Sequence, residues 1–206
     1  MRLSISNIAW DRSYDHKISQ ILNKNKVDAI DVAPRKYFDN FSSITKNDIY
    51  KIRNWWEERG VEIIGMQSLL YGTKGLNLFS DSNVQKEMLE YLDLVCKIAS
   101  NLNARKLVFG SPRNRDRNGF SNEKAFQIAV SFFKRLGFIA QKYQVEICLE
   151  PNPKCYGSNF MTTSYDTAKV VKEVNHPSIK MQLDTGAIFI NNECPSEICS
   201  KYKYLI

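Results

Sequence analysis

The sequence lacks the segments that mark membrane and secreted proteins. Its 206 residues contain no apolar run that approaches the roughly 18 residues of a membrane-spanning helix. The first ten residues, MRLSISNIAW, lack the long apolar segment of a signal peptide and already have the character of a strand. We therefore expect a cytoplasmic protein that does not act at a membrane.

Glycine-rich phosphate loops are also missing. No G-x-G-x-x-G follows a predicted strand, no G-x-x-x-x-G-K occurs, and the stretch GTKG at 72–75 fits neither pattern. A G-x-S-x-G motif is absent as well. These absences weigh against nucleotide binding of the Rossmann or P-loop type.

Histidine is scarce, and the cysteines are not spaced for metal binding. The two histidines are His16, in a predicted helix, and His176, in a turn before Pro177, and we expect both at the surface. The five cysteines contain no C-x-x-C pair. An odd number of cysteines without such a pair is typical of reduced thiols in a reducing compartment.

The composition is that of a soluble globular protein. Hydrophobic residues make up 43% and charged residues 25% of a chain long enough for one sizeable core, so we expect residues 1–206 to form a single domain. Lysine and arginine number 29 against 22 acidic residues, which gives a net charge of +7. This charge favours anionic partners such as sugar phosphates or nucleic acid. An AT-rich genome, whose codons favour lysine, produces the same excess.

Apolar β-branched runs alternate with amphipathic segments along the whole chain. Such alternation predicts a parallel sheet with helices outside it, because each parallel connection needs a crossover. The last residues, KYKYLI at 201–206, predict the start of a seventh strand. The predicted strands are 3–9, 27–33, 61–69, 105–110, 145–150 and 179–184, and the predicted helices are 14–25, 45–59, 81–102, 121–143 and 163–174.

Two architectures fit this alternation, a doubly wound open sheet and a closed βα-barrel. Ligand sites in parallel α/β folds form at the carboxyl ends of the strands. An open sheet builds its site mainly from two or three adjacent strands, whereas every predicted strand here has a polar residue at or near its carboxyl end. We therefore favour an incomplete TIM (β/α)8-type barrel with about six βα units. The polar strand ends are Asn7, Asp31, Gln67, Ser111, Glu150 and Asp184.

Two acidic residues at the ends of consecutive predicted strands are the main candidates for chemistry. They are Glu150 in VEICLE and Asp184 in IKMQLD. Side chains alternate along a strand, so both belong to the polar faces that a barrel turns inward. Two carboxylates held together away from water raise the pKa of one of them, and a divalent cation removes that difficulty. For either residue the alternative is a helix cap or a pair with a neighbouring arginine.

The units CLEPNPKCYGSN and MQLDTGA, which contain these two acids, resemble the fifth and sixth strands of the xylose isomerase-like TIM barrels. This superfamily includes sugar-phosphate isomerases and epimerases, ketohexose 3-epimerases, and AP endonucleases of the endonuclease IV type. The resemblance extends over essentially the whole chain, through LSISNIAW, VDAIDVAP, VEIIGMQSLLYG and LVFGSPRNR. It implies that Glu150 and Asp184 are metal ligands and that Glu150 also exchanges a proton with the sugar.

The sequence departs from the family pattern towards its end. Family members usually complete the site with a histidine after strand seven and a glutamate after strand eight, but the sequence ends at Ile206, within the expected strand seven. Many members also have a histidine three residues after the aspartate, where this chain has Ala187. An eight-stranded barrel needs about 250 residues. The resemblance therefore implies a C-terminally truncated member, and we expect a homodimer through the open barrel edge.

The resemblance implies a metal-dependent sugar or sugar-phosphate isomerase or epimerase. Such a reaction moves a proton next to a carbonyl, or a hydride, while a metal polarises the sugar oxygens. Oxygen ligands favour Mn²⁺, Mg²⁺ or Co²⁺, and Zn²⁺ is a further candidate. Because half of the ligand set is missing, a non-catalytic truncated remnant or binding module is the alternative. An AP endonuclease is less favoured, since its multi-zinc site needs several histidines, so nucleic acid is not the expected partner.

Several further residues are candidates for contacts with a sugar or sugar phosphate. Among three arginines in the loop GSPRNRDRNGF, Arg113 is our choice to bind a phosphate, because a guanidinium matches phosphate geometry. The alternative is a solvated basic loop. Trp10, Tyr71 and Phe109 are candidates for an apolar wall against a sugar face, although aromatic residues near strand ends also form core. The polar candidates are Gln67, Asn152 and Gln182.

Overall fold

The computed structural model describes residues 2–206, in which six parallel strands form one sheet and helices connect them. The strands are β1 (Ile5–Ser6), β2 (Ala29–Val32), β3 (Glu62–Met66), β4 (Lys106–Phe109), β5 (Glu146–Leu149) and β6 (Ile179–Met181). The helices are α1 (Asp15–Lys24), α2 (Lys46–Glu57), α3 (Ser82–Leu102), α4 (Asn122–Lys142), α5 (Ser164–Val174), α6 (Thr185–Ile190) and α7 (Pro195–Tyr202).

The strands lie in the sheet in the order of the sequence, from β1 to β6, and every neighbouring pair is parallel. A doubly wound sheet reverses its strand order at a switch point, so the open-sheet alternative is excluded. Right-handed crossovers in sequential order place all connecting helices on one face and leave the other face inside. The Gln67 amide donates a hydrogen bond to Ser6 Oγ on β1, across the intervening β2, as an inward-curling sheet allows. The fold is that of a TIM barrel.

The helices begin and end at residues that cap them. Thr45 and Asp48 form a reciprocal capping box at the start of α2, where Thr45 Oγ1 accepts from the Asp48 N–H at 3.2 Å. Ser121 Oγ accepts from the Lys124 N–H at 3.3 Å at the start of α4. Asn103, with φ of 65°, ends α3 in the left-handed conformation. The predicted boundaries of the first five helices are accordingly confirmed to within two residues.

The core lies between the outer face of the sheet and the helices. Ile147 and Leu149 of β5 point outward and are fully buried. Phe109 of β4 packs into the same layer, with its ring centroid 5.2 Å from that of Phe133 on α4 and the two ring planes perpendicular. The helices have one apolar face each, and in residues 2–206 none is both long and apolar enough to cross a bilayer.

The strands are shorter than predicted, because the chain turns soon after leaving the sheet. Asn7–Ala9, predicted to lie in the first strand, forms a 3₁₀ turn. Asp184, predicted to end the sixth strand, lies three residues beyond β6 and is the N-cap of α6. In both cases the extended conformation ends where a side chain accepts a hydrogen bond from a nearby backbone N–H. Ser6 Oγ accepts from the Ile8 N–H at 3.1 Å, and Asp184 accepts from the Ala187 N–H.

The prediction of a seventh strand over 201–206 is wrong for most of its length. Lys201 and Tyr202 instead complete α7. The chain reaches the sheet only at Leu205, whose carbonyl accepts a hydrogen bond from the Met181 N–H at 2.7 Å. Within the described residues, β1 and β6 are therefore the edge strands. A homodimer through these edges stays a prediction.

His176 is buried, and its predicted surface location is wrong. Its ring packs against Phe138 with a centroid distance of 4.8 Å, and Nδ1 accepts from the Ser178 N–H at 3.2 Å. Gly137 on α4 leaves the space for this ring, since a Cβ there would lie 2.6 Å from the imidazole. His16 is exposed on α1, as predicted.

Candidate functional site

Glu150 follows β5 directly, and its carboxylate lies against β4 on the inner side of the sheet. A Cβ added to Gly110 would lie 2.0 Å from Glu150 Oε2, so the glycine leaves the space in which the carboxylate sits. Asn152 Nδ2 donates a hydrogen bond to the same oxygen at 2.9 Å. The loop after β5 therefore carries both the carboxylate and the amide that orients it.

The surroundings of Glu150 change its protonation. Burial raises the pKa of its carboxyl group above the usual value, and the negative charge of Asp184 raises it further. The hydrogen bond from Asn152 and the positive charge of Arg115 act in the opposite direction. A half-buried carboxyl group with a raised pKa is a stronger base than an exposed one.

Asp184 reaches the same site from the start of α6. Its Oδ1 accepts from the Ala187 N–H at 2.7 Å. Asp184 is therefore a helix cap, the alternative that the sequence left open, and the cap uses only this oxygen. The charge of Asp184 nevertheless acts on Glu150. No residue among 2–206 donates a hydrogen bond to Asp184 Oδ2, which leaves this oxygen free for another partner. Capping and ligation are therefore compatible.

Glu150 and Asp184 are the residues that could hold a cation at the barrel mouth. Their carboxylate oxygens suit a hard divalent ion, and a cation would relieve the repulsion between the two negative charges. In the part of the chain that the structure describes, no group of three or more His, Cys, Asp or Glu side chains converges on one point. The residues present thus fit two ligands of a divalent cation, fewer than a full coordination shell.

Arg115 is a site residue that the sequence analysis did not single out. Its guanidinium is completely buried, and it donates from Nη1 to the Glu150 carbonyl at 2.7 Å and from Nη2 to the Gly110 carbonyl at 3.4 Å. Burial lowers its pKa to about 10, and the charge of Glu150 opposes that change. Arg113, the predicted phosphate ligand, is exposed. Three arginines at alternate positions of one loop give no sequence signal to tell which one turns inward.

A cavity of about 270 Å³ opens beside Glu150. Gln67, a predicted substrate contact, lines this cavity, as do Tyr71 and Phe109. Tyr71 is 72% exposed and its ring is available to a ligand, whereas the Phe109 ring belongs to the core. Two of the predicted substrate contacts therefore line the cavity with their side chains available, the polar Gln67 and the aromatic Tyr71, and both follow β3.

Trp10 and Gln182 do not line the mouth cavity. Trp10 Nε1 donates to Asp15 Oδ1 at 2.7 Å, and its ring meets the edge of Trp56 with a centroid distance of 6.4 Å. Gln182 is half-buried, and its backbone N–H donates to the Leu149 carbonyl at 2.8 Å. Trp10 thus packs over α1 and α2, while Gln182 continues the pairing of β6 with β5.

The sequence profile of the xylose isomerase-like TIM barrel family matches residues 20–204. The chain belongs to this family. The resemblance carried by the fifth and sixth strands is thereby confirmed, together with the barrel fold. No curated protein matches the sequence at a significant level.

Several solved structures share the fold at low sequence identity. A D-psicose 3-epimerase from Clostridium cellulolyticum H10, solved with D-tagatose, has 17% identity and a TM-score of 0.80; the match covers 100% of this chain and 71% of that one. A 3-keto-D-glucoside 4-epimerase from E. coli has 12% identity and a TM-score of 0.78, and the match covers 100% of this chain and 76% of that one. An AP endonuclease of family 2 from Brucella melitensis has 13% identity and a TM-score of 0.75, and the match covers 100% of this chain and 77% of that one. At these identities the similarity establishes the fold alone.

Proposed function

We propose that this family member is a metal-dependent isomerase or epimerase of a sugar or sugar phosphate. Family membership and the epimerases among the similar structures support the reaction class. The proposal depends on two carboxylates that follow neighbouring strands, Glu150 after β5 and Asp184 after β6, where burial and the charge of Asp184 raise the pKa of Glu150. Five free thiols fit the reducing cytoplasm, where we place the protein.

In this proposal Glu150 exchanges a proton with the carbon next to the sugar carbonyl. Burial raises the pKa of the metal-free carboxyl group and so favours its action as a base, and a hydrogen bond from Asn152 orients Oε2. Mn²⁺, Mg²⁺, Co²⁺ or Zn²⁺ held by Glu150 and Asp184 would supply polarisation of the sugar oxygens. Gln67 and Tyr71, which line the mouth cavity, are the residues that we assign to contact with the sugar.

A binding module without catalysis is the second candidate. It is favoured by the observation that no group of three or more His, Cys, Asp or Glu side chains converges within residues 2–206. An AP endonuclease is not favoured, because His16 is exposed on α1 and His176 precedes β6 at the amino ends of the strands. Neither histidine stands where a multi-zinc site at the mouth would need it.

Deuterium exchange separates the two candidates. The protein is incubated in D₂O with Mn²⁺ and a panel of ketoses and sugar phosphates, and NMR detects deuterium entering at the carbon next to the carbonyl. We expect exchange in the wild type and none in Glu150→Gln. The matched control is Glu146→Gln at the start of β5; Glu146 forms an ion pair with Lys106 at 2.6 Å, and its replacement should not affect exchange.

Thermal melting without metal and with Mn²⁺, Mg²⁺, Co²⁺ or Zn²⁺ completes the test. Stabilisation by Mn²⁺ without exchange on any sugar would favour the binding module over the enzyme. No stabilisation by any of the four metals would contradict the metal site itself.

A further inference from the structure

A second cavity, of about 390 Å³, lies at the rim of the barrel between the first turns of α4 and α5. We call it the rim cavity; it has contributions from the loops after β4 and β5. It is separate from the mouth, since neither Glu150 nor Asp184 lines it. One backbone contact links the two sites, because the Asn152 N–H donates to the carbonyl of Met161, a rim-cavity residue, at 3.0 Å.

Three cationic side chains from three different segments line the rim cavity. Arg117 comes from the loop after β4, Lys154 from the loop after β5, and Lys169 from α5. Within the described residues none of the three forms an ion pair. Lys106 on β4, by contrast, has a carboxylate oxygen at 2.6 Å. Unpaired cations from separate segments that face one cavity favour an anionic ligand.

The two carboxylates that line the rim cavity are bound to neutral donors. Glu123 Oε1 accepts from Gln127 Nε2 at 3.1 Å, and Asp166 Oδ2 accepts from Thr162 Oγ1 at 3.2 Å. Both carboxylates belong to first turns of helices, where they compensate the positive end of the helix dipole. They therefore leave the three cations of the cavity uncompensated by direct contact.

A further nearby carboxylate, Asp116, is also held by neutral groups. Its Oδ1 accepts from the Asn118 N–H at 3.0 Å and from Asn159 Nδ2 at 2.7 Å. Its charge is close enough to that of Arg117 for the two to interact, yet no ion pair forms between them. Asp116 does not line the cavity.

Two of the cations are held in place by neutral partners. The Arg117 guanidinium donates to Asn122 Oδ1 on α4, and its backbone N–H donates to Asn159 Oδ1 at 3.0 Å. Lys169 Nζ lies 4.9 Å from the centroid of the Phe126 ring. An amide and an aromatic ring orient these charges without neutralising them, which is what an anion site needs before its ligand arrives.

We propose that the rim cavity binds the phosphate group of a small phosphorylated molecule, with Arg117, Lys154 and Lys169 as its ligands. A phosphate presents acceptor oxygens in several directions, and three donors from three segments can reach it from different sides. The cavity volume is at the lower end of the roughly 300–1,000 Å³ of small-molecule sites, so it has room for a phosphate and a small group attached to it. The proposal does not depend on the reaction at Glu150.

Calorimetric titration at low ionic strength tests the proposal with inorganic phosphate, glucose 6-phosphate and glucose. We expect saturable binding of both phosphates and none of glucose. Lys154→Gln and Lys169→Gln should each weaken phosphate binding about fivefold, and the double variant about 25-fold, in line with about 1 kcal/mol for each charge-assisted contact. Higher affinity for glucose 6-phosphate than for phosphate would identify a phosphorylated metabolite as the ligand, and equal affinities would identify free phosphate; both results support the phosphate site.

Matched variants distinguish this cavity from a general effect of positive charge. Lys172→Gln removes the same charge from the same helix, one turn beyond Lys169 and outside the rim cavity, and should change the affinity less than about twofold. Glu150→Gln should leave phosphate binding unchanged, whatever it does to catalysis. An equal loss in Lys172→Gln, or the absence of saturable phosphate binding, would overturn the proposal. So would phosphate binding that Glu150→Gln alters and the double lysine variant does not.

Discussion

The α-carbon of Gly110 lies against the carboxylate of Glu150, so closely that a Cβ at position 110 would stand 2.0 Å from Oε2. The register of β4 and β5 produces this contact, because Phe109 pairs with Leu149 and the next residues of both strands then lie side by side. Position 110 thereby offers a way to move the carboxylate while its chemistry stays intact.

Gly110→Ala should displace the Glu150 carboxylate. The atom that the new methyl group meets is the end of a flexible side chain, so we expect the fold to persist with a modest loss of stability. The hydrogen bond from Asn152 to Oε2 would be broken, and Mn²⁺ affinity should fall about 10- to 100-fold, as when an orienting partner of a metal ligand is lost. Titration calorimetry with Mn²⁺ measures this change.

The control for this variant is Gly65→Ala. It sets the same methyl group 2.0 Å from Asp31 Oδ1 on a different pair of strands and 3.0 Å from the Lys106 carbonyl oxygen of β4, so its loss of stability should be the larger of the two. Mn²⁺ affinity should survive this change. If Gly110→Ala also leaves the affinity unaltered, the position of the Glu150 carboxylate does not govern metal binding.

Asp184 serves as a helix cap and as a proposed ligand, and two substitutions separate these roles. Asp184→Asn keeps an oxygen that can accept from the Ala187 N–H, so the free energy of unfolding should change little. Asp184→Ala loses the cap, at a cost of about 1 kcal/mol. Both variants lose the negative charge, and both should lose the stabilisation by Mn²⁺. Melting curves with and without the metal report the two effects together; retained stabilisation in Asp184→Asn would exclude Asp184 as a ligand.

The elements that were predictable from the sequence are those specified by local chemistry. The periodic apolar stripes and the capping residues Thr45 and Ser121 determine the long helices, so their bounds are recovered closely. The acids Glu150 and Asp184 were predicted as site residues because polar residues at consecutive strand ends are conspicuous after apolar runs. The family profile confirms the barrel that this pattern predicts.

The features that could not be predicted from the sequence are two short helices and two buried side chains. Helices α6 and α7 are short and give little periodicity, so KYKYLI was predicted as a strand. The burial of His176 depends on a missing side chain at Gly137, 39 positions earlier, and a lone histidine beside a proline gives no sign of it. Arg115 turns inward to carbonyl groups of two strands, which no local pattern predicts.

Glu150→Gln should stabilise the metal-free protein near neutral pH. The pKa of Glu150 is raised in the folded protein, so the native state holds its proton more firmly than the unfolded chain. The stabilisation that the folded protein gains from binding this proton is fully present below the usual carboxyl pKa of about 4.3. It is lost as the pH rises through the folded-state pKa. Glutamine has no charge to bury, so Tm should exceed that of the wild type near neutral pH, and the difference should shrink in acid.

Calorimetric melting in the presence of a chelator measures this pH dependence. Glu146→Gln is the comparison, because it removes a carboxylate that is paired with Lys106 and should give no rise in Tm. A Glu150→Gln variant that melts below the wild type near neutral pH would show that the native contacts of the carboxylate outweigh its burial.

Arg115 sets two opposing effects against each other, and its replacement shows which is larger. The buried guanidinium donates to the carbonyls of Glu150 and Gly110, and its loss would leave two buried acceptors without this donor, at a cost of about 1–3 kcal/mol each. Arg115→Met relieves the desolvation of a buried charge, which can offset part of that cost. The 2.7 Å bond to Glu150 is short and charge-assisted, so we expect Arg115→Met to lower the free energy of unfolding by about 2 kcal/mol in urea titration. Arg113→Met, at an exposed position, should change the free energy of unfolding by less than about 0.5 kcal/mol. Equal stability of the two variants would mean that the guanidinium contributes no net stabilisation to the strands that carry the site.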